Sequence, residues 1–68
     1  MQWIIVKNFV GCTKPCIEQS VANTHIAKRL GIEKLIYDNF EDAKYDCKML
    51  DAENPGADYG IFLLENKL

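Results

Sequence analysis

A chain of 68 residues has room for one domain, and a domain of that size buries only about 60% of the surface its unfolded form exposes. Eight basic against ten acidic residues give a net charge of −2, which argues against a protein whose main task is to grip a phosphate backbone. No run approaches the roughly 18 apolar residues of a membrane span, and no charged start, apolar stretch and cleavage site suggests export, so the expected compartment is the cytosol.

The first element expected is a strand over residues 2–10, QWIIVKNFV, rich in β-branched and aromatic residues. Alternation places Trp3, Ile5, Lys7 and Phe9 on one side and Ile4, Val6, Asn8 and Val10 on the other, too apolar on both for an exposed edge. It therefore reads as a central strand. Residues 11–16, with Gly11 and Pro15, read as a loop. A helical pattern follows up to Gly31: Ile17 lies with Val21, and Ala22, Ile26 and Leu30 recur at steps of four. Its start is open, since Pro15 fits a first turn near Cys16 and Ser20 fits a cap for a helix over residues 21–30; the longer version is preferred. Gly31 closes it, with Lys28 and Arg29 favourably placed in the last turn. Residues 32–37 then read as a short strand.

The second half is clearer. Asn39 can accept from the free N–H groups of a first helical turn, and Glu41 and Asp42 put negative charge at its positive end. Phe40, Ala43, Cys47 and Leu50 fall on one face, which is expected to be buried. Asn54-Pro55-Gly56 stops the helix near Glu53, and a last strand spans residues 59–64. The expected fold is thus α+β, a single domain over residues 1–68 in the order β-α-β-α-β, with a three-stranded sheet covered by two helices. The first crossover is long enough for parallel, right-handed pairing; the direction of the last strand is left open.

Three cysteines are an odd number, which points to reduced thiols rather than a disulfide framework. Cys47 belongs to the buried helix face. Cys12 and Cys16, with His25 and Cys47 or water, could be imagined as metal ligands, but one pair plus single residues lacks the two well-spaced pairs of a zinc site. The Cys12–Cys16 spacing also misses the C-x-x-C of thioredoxin-like redox sites by one residue. No metal, no cofactor and no enzymatic activity is expected, and a metal or redox protein is the third function class. The second is a DNA-binding regulator. Residues 27–32, AKRLGI, resemble the first helix and turn of helix-turn-helix regulators, which would make residues 32–40 the recognition helix, although that stretch carries Asp38 and no arginine.

A further resemblance covers residues 1–10 and 37–64. Tyr37-Asp38-x-Phe40-Glu41-Asp42-Ala43, Leu50-x-Ala52-x-Asn54-Pro55-Gly56 and Tyr59-x-Ile61-Phe62, behind an opening Trp3-x-Ile5-Val6, are similar to short uncharacterised proteins of tailed phages, with residues 11–34 as an insertion. The resemblance implies an accessory protein that binds a host protein and redirects or inhibits it, including nucleic-acid-binding or defence systems such as CRISPR complexes. The candidate docking residues come from the helix itself. Asp42, Asp46, Met49 and Glu53 recur at steps of four, three and four, with Tyr45 beside them, on a line away from the apolar face. An acidic stripe holding two large apolar side chains suits a host partner with a basic surface, with neither membrane nor nucleic acid contacted directly.

Overall fold

The computed structural model describes residues 1–8 and 16–64. The expected extension of the first strand through Phe9 and Val10, the loop with Cys12 and Lys14, and the first-turn role of Pro15 lie outside the described residues. The elements are β1 (Gln2–Lys7), two single 3-10 turns (Ile17–Gln19 and Val21–Asn23), α1 (His25–Leu30), α2 (Phe40–Glu53) and β2 (Tyr59–Leu64). β1 and β2 form a two-stranded antiparallel sheet in which Ile4 faces Phe62 and Ile5 faces Ile61.

This is a small α+β domain, but the three-stranded sheet expected from the sequence is not formed. Residues 32–37 contribute a single bridge, in which Tyr37 and Trp3 exchange backbone hydrogen bonds of 2.8 Å in both directions. The cause lies at each end of that segment. Gly31, at φ 74°, ends α1 with its N–H on the Lys28 carbonyl while Ile32 N–H reaches back to Ala27, a closure that buries Ile32 at once. Further on, the Leu35 carbonyl is taken by the Ser20 hydroxyl at 3.1 Å rather than by a strand. With no third strand among the described residues, the parallel crossover expected after the first strand does not arise there.

The continuous first helix is also replaced. Ser20 pairs with Val6 in another isolated bridge, and its side chain accepts from Ala22 N–H. Thr24 then caps α1, accepting from Ala27 N–H and donating to the Val21 carbonyl. Two side chains that satisfy backbone groups locally divide residues 17–30 into two 3-10 turns and a helix of six residues. β2 lines one side of β1 and isolated bridges from Tyr37 and Ser20 touch the other, so β1 is partly covered on both sides but is not the central strand expected of a three-stranded sheet.

α2 forms as its caps require, with Asn39 accepting from Glu41 N–H at 2.8 Å and Asn54 N–H closing on the Leu50 carbonyl. Ala43, Cys47 and Leu50 are buried in one cluster with Ile5, Val21, Ala27, Ile32, Tyr37 and Tyr59. Phe40 corrects the expected face: it is 43% exposed and meets Trp3 edge-on, with ring centroids 5.6 Å apart. It stands at the first helical position, at the margin of the core, where the Trp3 ring packs against it and much of its surface stays exposed.

Candidate functional site

The residues picked out on α2 are set by the helix, the buried Ala43-Cys47-Leu50 face turning the others outward. The structure does not treat the five alike. Tyr45 is 66% exposed. Asp42 is exposed and meets the Lys34 ammonium at 3.7 Å, and that ammonium also lies 5.8 Å from the centre of the Tyr37 ring. Asp46 is half-buried and accepts a hydrogen bond from the Tyr37 hydroxyl at 2.5 Å. Met49 is half-buried and packs against the core cluster, so only one of the two large apolar side chains stands out. Glu53 faces elsewhere, with Arg29 of α1 at 3.4 Å.

Two depressions flank α2. One, bordered by Gly31, Lys34, Asp42, Tyr45 and Asp46, joins the helix to the segment after α1. Three of the five candidate residues therefore share one surface, which Lys34 enters as a counter-charge invisible to helical spacing. The other is bordered by Lys7, His25, Arg29, Glu53 and Asn54, and it takes Glu53 away from the stripe. Thr24 also borders this second depression.

Electrostatics separate structural from displayed groups. Burial, and after it the Asp46 carboxylate, push the Tyr37 phenol well above its ordinary value, so it is a neutral donor. Burial likewise pushes the Cys47 thiol up, as befits a core side chain. Cys16 is exposed, and its hydrogen bond with Glu18 is the main cause that raises its thiol. Neither described cysteine carries the lowered pKa of a reactive thiolate. Among the described residues no group of three or more His, Cys, Asp and Glu side chains is placed to hold a metal ion. The segment needed as a recognition helix, residues 32–40, is irregular up to Asn39. Among the described residues no helix is long and apolar enough to cross a membrane.

Sequence reasoning missed the Tyr37–Asp46 bond and the Lys34 contacts. The one signal available was Tyr37 itself, a large amphipathic residue just ahead of a helix that carries acids on its outer face. In comparisons with known proteins no family model, no curated protein and no solved structure matches the chain.

Proposed function

We propose that this chain is a small accessory protein of the tailed-phage kind that acts without catalysis, by binding a host protein through the outer face of α2. The action this implies is inhibition of a nucleic-acid-binding or defence complex in the host cytosol, in the manner of an anti-CRISPR protein. The observation that carries the proposal is Tyr45, a large aromatic side chain 66% exposed on a helix of five carboxylates and two lysines. An exposed tyrosine of this kind supplies desolvated contact area at low entropic cost, which is why such residues concentrate binding energy in interfaces. The surrounding Asp42 and Asp46 would steer a basic partner surface towards it and would repel nucleic acid. Asp46 has a second task, since its bond to Tyr37 fixes the carboxylate on the helix surface.

The test is capture of partners from a bacterial lysate by the wild-type chain, by Tyr45→Ala and by Glu18→Ala, the last a change at an exposed residue of the 3-10 turn before Ser20. A specific band retained by wild type and Glu18→Ala and lost with Tyr45→Ala is the expected result. Equal capture by all three would remove α2 as the docking face.

A further inference from the structure

Among the described residues one edge of β2 is left unpaired, and its pattern of backbone groups shows what fits it. Trp3 spends its N–H and carbonyl on Tyr37, and Asn8 donates to the Asp58 carbonyl at 2.6 Å. Because backbone groups alternate in direction along a strand, the β1 residues that face β2 are Gln2, Ile4 and Val6, which pair with Leu64, Phe62 and Gly60. The N–H and carbonyl groups of Tyr59, Ile61 and Leu63 therefore point away from β1, and among the described residues no third strand takes them. Such a row is a template for another strand.

Natural edge strands are usually guarded by a lysine, a proline, an inward charge or a bulge. Tyr59–Leu64 reads YGIFLL, with no ionisable group but the tyrosine and no proline, and it pairs with β1 in unbroken register. Leu63, on the unpaired edge, is 47% exposed. A two-stranded sheet is also at the lower limit of what is stable, so each added strand has a large effect.

We infer that this edge is a self-association site, at which β2 of a second copy pairs antiparallel with β2 about a two-fold axis at Ile61. In that register Tyr59 faces Leu63 of the second copy, Ile61 faces its own counterpart, and about six backbone hydrogen bonds close across the axis. Phe62 comes opposite Gly60, which has no side chain, so the ring covers the glycine instead of meeting a second large group. The absence of charge in the strand leaves no repulsion between identical edges, whereas a partner read by charge would find nothing to hold. The product is a continuous four-stranded sheet in the order β1-β2-β2-β1. The contact uses the backbone edge of β2, a different surface from the α2 residues assigned to a partner.

The experiment is sedimentation equilibrium of the wild-type chain and of Leu63→Lys from micromolar to millimolar concentration, with amide hydrogen exchange of the wild type across the same range. Wild type is expected to shift from monomer to dimer, and the Ile61 and Leu63 amides, which point away from β1 and meet no third strand among the described residues, to become protected as it does so. Leu63→Lys places like charges at the unpaired edge and should weaken the dimer by about tenfold or more, or about 1.4 kcal/mol and upwards. A wild type that stays monomeric at millimolar concentration, with those two amides exchanging freely, would overturn the inference. So would a dimer in which they remain unprotected, because its contact would lie elsewhere. If Leu63→Lys loses its fold by circular dichroism, the exchange data on the wild type decide alone.

Discussion

The Tyr37–Asp46 bond is the interaction on which the candidate surface depends most, and replacing Tyr37 with Phe isolates it. The Tyr37 ring is 1% exposed and the phenylalanine ring fills the same space, so the change removes one hydroxyl and little packing. A hydrogen bond to a charged group is worth about 1.5–3 kcal/mol, and Asp46, being half-buried, regains part of that from water, leaving about 1–2 kcal/mol. For a domain of this size that is a fall in melting temperature of roughly 4–16 °C. The pH dependence gives a second reading of the same bond. The folded-state pKa of Tyr37 is raised above its unfolded value, so its contribution is fully present below that unfolded value, near 10, and is lost as pH rises beyond it. Above about pH 10 the wild type should lose about 1.4 kcal/mol per pH unit through this group, and Tyr37→Phe should lose none by this route, so the gap between them narrows. Urea unfolding of both proteins between neutral pH and pH 11 measures it. Two proteins of equal stability at neutral pH, with parallel alkaline profiles, would refute the account of this bond.

Leu50→Ala removes a fully buried side chain from the α2 face and should cost about 2–5 kcal/mol, read as a shift of the urea midpoint; a midpoint near the parent's would mean that this face is not the core. Gly31→Ala should cost about 1–2 kcal/mol, because Gly31 holds φ 74° and an added Cβ meets nothing within 4 Å, which leaves the left-handed backbone as the whole penalty. Asn at the same position should recover part of that in thermal melts, since it tolerates this conformation.

Much of the second half was legible because local chemistry and tertiary packing agree there. Asn39 caps α2, Asn54-Pro55-Gly56 stops it, and β2 occupies residues 59–64 as expected after that breaker. The first half misled where they disagree. Residues 32–37 have the composition of a strand, yet the closure of α1 on Ile32 and the Ser20 bond to Leu35 leave only Tyr37 to pair. Ser20 and Thr24 are both good caps, and weighing apolar periodicity above them joined three short pieces into one helix. At the candidate site, spacing along α2 correctly found Tyr45 exposed beside Asp42, but it could not see that Met49 leans into the core or that Arg29 draws Glu53 aside. Those outcomes depend on chain segments remote in sequence.

Docking through the acidic and aromatic face of α2 is tested most directly by binding kinetics of Asp42→Lys and Tyr45→Ala against the partner captured by the wild type. Asp42 is the better charge probe than Asp46, because its contact with Lys34 is exposed and contributes little to stability. Asp42→Lys should slow association and flatten its salt dependence, and Tyr45→Ala should speed dissociation by about tenfold or more, with the melting temperature of both unchanged. Wild-type association and dissociation rates in both variants, with the fold intact, would contradict the claim and place the contact on another face of the molecule.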